Sequence, residues 1–289
     1  MSIRVLASGL HFGEGPRWHQ GKLWFSDFYD HAVKTVDLDG NVETKFVLQG
    51  QPSGLGWLPD GRMLVVSMLD RCVLRTEYGH LVVHADLSSI ATFHCNDMVV
   101  DAAGAAYVGN FGFDLDDAIA SGTMGEVLAT HEGAALARVA PDGSVSVAAT
   151  GLMFPNGAVI TPDGRTLIIA ETMGRRLTAF DIATDGELSN RRVWADLGAR
   201  MPDGICLDVE GAVWFANPGA PECVRVAEGG EVLQVVETGD PCFACMLGGP
   251  KGTTLFMLTA ATSSSEEAAM HRTGRIMVTD VTAAHAGQP

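Results

Sequence analysis

Positive charge is scarce in this chain. Nineteen Lys and Arg stand against 35 Asp and Glu in 289 residues, a formal net charge of −16. Binding to a phosphate backbone by counterion release needs a basic stripe, and none is found, which argues against a nucleic-acid partner. No run of eighteen or more apolar residues occurs, so no helical membrane span is expected. The opening Met1-Ser2-Ile3-Arg4-Val5-Leu6 lacks the apolar core of a secretory leader, and the expectation is a cytoplasmic protein. Cysteine is sparse and without a spaced framework: Cys72, Cys95, Cys206, Cys223, Cys242 and Cys245 suit a reducing compartment. Cys242 and Cys245 spell C-x-x-C, but residues three apart on a strand of period two face opposite sides, so a shared metal or bond between them is not expected. Ser53 has no Gly-x-Ser-x-Gly elbow around it, and the glycine-rich turns lack the Lys-Ser/Thr of a phosphate loop.

What the chain does have is one unit said six times. A small or polar turn leads into an apolar strand, a tight turn follows, and a second apolar strand comes after it. Copies begin near Glu14, Ser53, Asn96, Asn156, Asp203 and Phe243, at spacings of about forty to fifty residues with one longer interval of about sixty. Pro59-Asp60-Gly61, Pro141-Asp142-Gly143 and Pro162-Asp163-Gly164 are turn sequences joining apolar runs, which argues for strands over helices. Third strands follow in several copies, as at 176–181 and 274–280. Six copies of about four strands use nearly the whole chain, so the expected fold is all-β: a single six-bladed propeller over 1–289, closed by pairing of the N- and C-terminal strands. Arg4-Val5-Leu6-Ala7 is placed to supply the outer strand of the last blade and remove two exposed edges.

The long interval contains a segment, 111–132, that breaks the rhythm. It carries Asp114, Asp116 and Asp117 and a helix-compatible stretch at 116–120, and it is a candidate lid over the channel mouth. Residues 283–289 and 263–269 are candidates for disorder.

In a propeller, Glu14, Asn156 and Asp203 fall at one position of the repeat and face the central channel. Two carboxylates and an amide carbonyl make an all-oxygen set of charge −2, suited to one hard divalent ion. Ca2+ is the first expectation, with Zn2+, Mg2+, Mn2+ or Fe2+ as alternatives. Three protein ligands leave positions open for water and substrate, as catalysis requires.

The motifs Gly13-Glu14-Gly15-Pro16, Cys95-Asn96-Asp97, Phe154-Pro155-Asn156-Gly157 and Pro202-Asp203-Gly204, in order at blade spacing, resemble the senescence marker protein 30/gluconolactonase/luciferin-regenerating-enzyme family, over about residues 9 to 280. The resemblance implies a six-bladed propeller with a divalent metal in its channel, and lactonase activity of the carboxylic ester hydrolase class on a small-molecule lactone. By that similarity Glu14, Asn156 and Asp203 match the metal ligands, and Asn96 matches the residue that contacts substrate or the water at the metal. Many sugar-lactonase members carry Arg two positions before that Asn, where this chain has His94. Phe93, Phe111, Phe113, Met153 and Phe154 lie close to it in sequence. This combination implies a lactone less hydroxylated than gluconolactone, with His94, Asn96, Phe111 and Phe154 as substrate contacts.

Asp203 is the first candidate for the base that deprotonates the attacking water, and His94 is the alternative base or leaving-group acid. Glu171, at a strand end, is expected to make hydrogen bonds at the blade rim, and His11, His19 and His31 are expected at the surface. Two other readings keep the same metal: a phosphotriesterase-type hydrolase, and a non-enzymatic calcium-binding regulatory propeller.

Overall fold

The repeated turns close by one device. In Pro59-Asp60-Gly61 the Asp60 Oδ1 accepts the Arg62 N–H at 3.0 Å, and Gly61, at φ +85°, donates its N–H to Leu58 O at 2.9 Å. Asp142, Asp163 and Asp208 accept the N–H of the residue two positions on in the same way. A short carboxylate side chain that satisfies the turn backbone, followed by a glycine free to take positive φ, fixes the hairpin.

These hairpins build six four-stranded antiparallel sheets, the blades of a six-bladed β-propeller. The structure, a computed structural model, describes residues 2–287. The innermost strands of blades 1 to 6 are Gly13–His19, Pro52–Trp57, Cys95–Val100, Pro155–Ile160, Ile205–Leu207 and Cys242–Gly248. They are buried almost throughout, as expected of strands covered on both faces. Between the blades pack Leu23, Phe25, Trp214, Phe215 and Phe256, each essentially inaccessible.

Ring closure follows the sequence expectation. Arg4–Leu10 pairs antiparallel with Gly274–Asp280 and forms the outer strand of blade 6, so that blade combines both chain ends. Pairing the first strand with the last covers two edges that would otherwise offer unpaired backbone groups.

Two local expectations need correction, and one helix was missed. Residues 263–269 are not disordered: Ser265–Met270 forms α3, counting the two helices of 111–132 as α1 (Leu115–Ala120) and α2 (Met124–Thr130). Ser264 caps α3 by accepting the Glu267 N–H, and Ala268 is fully buried. The 116–120 stretch is α1, capped by Asp114 Oδ1 accepting from Asp117 N–H at 2.9 Å, but α2 was not foreseen in the sequence. The tail through Gly287 is ordered against blade 5, where the Val209 N–H donates to Ala284 O and the Ala286 N–H to Leu207 O; residues 288 and 289 lie outside the described residues.

Candidate active site

The inner strands share an irregularity at the place where the candidate ligands sit. Register shifts fall between Glu14 and Arg17, Pro52 and Leu55, Cys95 and Met98, Pro155 and Ala158, and Cys242 and Ala244. Ser53, Asn96 and Asn156 each lie inside such a bulge, and Glu14, paired with Ser26, borders one. A bulge breaks strict alternation and re-aims a side chain. In blade 5 the ladder starts only at Ile205, so Asp203 precedes the strand. The glycine after a ligand has its own role: a Cβ on Gly157 would stand 2.5 Å from Ile205 N, and one on Gly204 2.7 Å from Ala244 Cα. Only glycine lets neighbouring inner strands approach this closely and draws the ligands toward a common axis.

A cavity of about 450 Å3 opens at this end of the channel, and Glu14, His94, Asn96, Phe111, Phe154, Asn156 and Asp203 all line it. The seven residues singled out in the sequence thus meet in one place, although they come from four blades. A hydrogen-bonded chain crosses the floor. Ser53 Oγ donates to Asn96 Oδ1 at 3.3 Å, Asn96 Nδ2 to Asn156 Oδ1 at 3.1 Å, Asn156 Nδ2 to Thr172 Oγ1 at 3.1 Å, and Thr172 Oγ1 to Pro202 O at 2.7 Å. The chain runs from blade 2 to the residue before Asp203 and fixes the orientation of both amides.

Glu14 and Asp203 are both buried. Burial, then Asp203 and Asp97, push the Glu14 carboxyl well above the usual range, and burial with Asp97 does the same to Asp203. Burial also raises Asp97, partly offset by the guanidinium of Arg17. Arg17 is itself buried, donating to Pro16 O at 2.8 Å and to Met98 O at 2.5 Å, so it clamps blade 1 to blade 3. The buried guanidinium interacts electrostatically with Asp97 and Glu14. Neither Glu14 nor Asp203 has an ion-pair partner among the described residues.

An all-oxygen set with two unpaired buried carboxylates fits a hard divalent cation, which would offset the cost of burying those charges. Among the described residues no three His, Cys, Asp or Glu side chains are arranged to hold a metal ion. The candidate set has only two such residues, and its third donor is the Asn156 amide.

The walls are aromatic and thioether-rich. On one side Phe111 stacks on Phe154 with ring centroids 4.7 Å apart, and the His94 ring meets Phe111 edge-on at 6.2 Å and lies 4.1 Å from Phe93. Phe154 holds φ +63°, a left-handed conformation unusual for a bulky residue and of the kind found at functional sites. Burial lowers the His94 pKa despite Asp114 and Asp116, which keeps the imidazole neutral near pH 7. The opposite wall was not read from the sequence: Phe12 packs on Phe243 at 4.6 Å, on Phe28 at 5.5 Å and on Tyr29 at 6.0 Å. Those residues come from blades 1 and 6, far apart in the chain. Leu115, Asp116 and Ile119 of α1, and Met124 of α2, complete the mouth.

Glu171 and three histidines fall outside the site. Glu171 is fully buried and accepts from Met153 N–H at 2.8 Å, Arg176 at 2.9 Å and Arg191 at 3.1 Å, a structural knot at the rim as expected. His11 is not at the surface: it is buried, with Nδ1 donating to Ala268 O at 3.0 Å, because α3 folds over it. His19 instead stacks on Trp57 at 4.0 Å, and His31 Nδ1 donates to Gln49 O at 3.1 Å.

Residues 12–261 match the family model described as the SMP-30/gluconolactonase/LRE-like region. Among curated proteins, the chain is 26% identical to regucalcin of Bos taurus over 264 residues, covering 89% of this chain and 85% of the relative. It is 26% identical over 265 residues to the pentonolactonase of Haloferax volcanii, covering 89% and 84%. A solved calcium-binding protein, regucalcin from Agrobacterium tumefaciens, superposes with a TM-score of 0.80 at 21% identity, covering 100% of this chain and 96% of that one, a likeness of fold.

Proposed function

The chain belongs to the SMP-30/gluconolactonase/LRE-like family, and from that premise we propose that it is a metal-dependent lactonase acting on a small, predominantly apolar lactone. The observation that carries the reading is the cavity in which Glu14, Asn156 and Asp203 meet Asn96 and His94 beneath aromatic walls. The family's named lactonases, such as the Haloferax pentonolactonase, support the reaction class.

Glu14, Asn156 and Asp203 would hold the ion, most naturally Ca2+ given hard oxygen donors. When bound, such an ion polarises a carbonyl oxygen and stabilises charge developing on it, an effect of several kcal/mol. The remaining work belongs to the chain's own side chains. Asn96, held between Ser53 and Asn156, orients the lactone or the attacking water. Asp203 Oδ takes the proton from that water, and a cation held beside it would limit its basicity. His94 is neutral and is suited to accepting a proton more than to donating one, so it is the second candidate base.

The ring faces of Phe111, Phe154, Phe12 and Phe243 leave few directed polar contacts for a polyhydroxylated ring and good contact for an apolar one. The helices α1 and α2 act as a lid that excludes water from this pocket, with Ile119 facing the cavity.

Purified protein stripped with a strong chelator and restored with single divalent ions, assayed on aldonolactones against apolar and aromatic lactones, tests the reading. Turnover should vanish on chelation, return with a divalent ion, and favour the apolar lactones. Full turnover in protein shown metal-free by elemental analysis would overturn the metal mechanism.

A further inference from the structure

Four of the six cysteines converge in the packed core of blades 5 and 6. Cys206 lies on the inner strand of blade 5, Cys223 on the third strand of that blade (Glu222–Val226), and Cys242 and Cys245 on the inner strand of blade 6; all four are buried. The C-x-x-C pair was expected to face apart. The register shift between Cys242 and Ala244 breaks the period-two count, and Cys223 lies within thiol hydrogen-bonding reach of both Cys242 and Cys245.

One contact is closer to bonding geometry than the rest. Cys206 Sγ and Cys245 Sγ stand 4.0 Å apart, and both belong to inner strands that Gly204 allows to approach, where an added Cβ would stand 2.7 Å from Ala244 Cα. Cys245 Sγ also lies 3.4 Å from Gly204 O and 3.5 Å from Trp214 O, so its position is fixed from three sides. The four sulfurs are not arranged as a metal site. All six cysteines are free thiols.

We propose that Cys206 and Cys245 are a redox-active pair that hydrogen peroxide oxidises to a reversible disulfide tying blade 5 to blade 6. In the first step one sulfur attacks a peroxide oxygen and becomes a sulfenic acid, and water leaves. In the second, the other thiol attacks that sulfenic sulfur, the S–S bond forms, and a second water departs. Two electrons pass from the two sulfurs to the peroxide, and a dithiol reverses the change. Two features besides distance favour this pair. Burial would by itself raise the Cys245 thiol, but hydrogen bonds from Cys206 and Cys223 outweigh it and lower the thiol. The pair is also close in the chain to the cavity wall, Cys206 three residues after Asp203 and Cys245 two residues after Phe243, both of which line it. Bond formation draws the sulfurs together by about 2 Å and pulls on the strand that follows Asp203. The inference rests on sulfur geometry and is independent of the hydrolytic reading.

The test treats the reduced full chain with hydrogen peroxide, blocks remaining thiols in denaturant, and maps peptides by mass spectrometry without reduction. The expected result is loss of two of the six thiols, a linked peptide joining Cys206 to Cys245, and full recovery with dithiothreitol. Cys206→Ser and Cys245→Ser should each abolish the linked species, and Cys72→Ser should leave it unchanged. Should either variant fail to fold, the wild-type peptide map decides alone. Six intact thiols after peroxide, a bridge between another pair, or oxidation only to sulfinic acid would overturn the proposal.

Discussion

Asn96 Nδ2 donates to Asn156 Oδ1 across 3.1 Å and thereby joins blade 3 to blade 4 at the channel floor. Asn96 also accepts from Ser53, so its amide is held in one orientation and its reach into the cavity is set by neighbours on both sides. A group oriented in advance contributes without reorganising during the reaction. Asn96→Leu keeps the volume and removes the hydrogen bonds, and should lower kcat/KM by about tenfold to a hundredfold, about 1.4 to 2.8 kcal/mol. Steady-state kinetics with circular dichroism checks this, and a change below twofold in folded protein would remove Asn96 from the machinery.

Asp203→Ala should abolish turnover and weaken divalent-ion binding, while Glu14→Ala should chiefly lose the ion, since a carboxylate attracts it more than the Asn156 carbonyl does. Both side chains face the cavity and neither has an ion-pair partner among the described residues, so the fold should persist. Calorimetric titration with Ca2+ or Mn2+ and kinetics separate the two effects. Retention of more than about a tenth of turnover in Asp203→Ala, a deficit under about 1.4 kcal/mol, would rule out Asp203 as principal base or essential ligand.

Glu171 predicts a pH dependence of stability. Burial raises its carboxyl, but hydrogen bonds from Arg176, Met153 N–H and Thr178 outweigh that and hold it below the ordinary glutamate value. A folded-state pKa below the unfolded one gives stability that is present above the unfolded value and is lost as pH falls through the folded one. Glu171→Gln should therefore cost about 2 kcal/mol at pH 7, and the gap from wild type should close as pH falls below about 4.3. Urea denaturation at both ends of that range measures it, and a constant gap would refute the ionic account.

Replacing the half-buried, neutral His94 by a fixed cationic fork should shift substrate choice. An Arg offers several directed donors to sugar oxygens where imidazole offers at most two. His94→Arg should raise the ratio of kcat/KM for gluconolactone over an apolar δ-lactone by about tenfold, about 1.4 kcal/mol. A preference of the unmodified protein for gluconolactone by tenfold or more would contradict the apolar-substrate reading.

Ile119 tests whether α1 serves as a lid. It is half-exposed yet lines the cavity from α1, so Ile119→Asp should leave the melting temperature within a few degrees and raise KM for an apolar lactone several-fold. Unchanged KM would show that α1 does not close over substrate.

The six-blade plan, the closing strand at Arg4–Leu10 and the convergence of Glu14, Asn96, Asn156 and Asp203 were legible in the chain because each repeats a local pattern. Turn chemistry at Asp60, Asp142 and Asp163 is written within a few residues, and equivalent positions of equivalent blades must point to one axis. The tertiary structure alone decided what stands around that axis. The Phe12–Phe243 wall joins residues at opposite ends of the chain, α3 buries His11 through a contact 257 residues away in sequence, and Cys206 meets Cys245 across two blades. Period-two counting failed at Cys242 and Cys245 because a bulge inserts an extra residue where the strand enters the channel. Periodicity determines which blade and which face a residue occupies; which residues then touch depends on how closely neighbouring blades pack, and that is set by the bulges and by glycines such as Gly157 and Gly204.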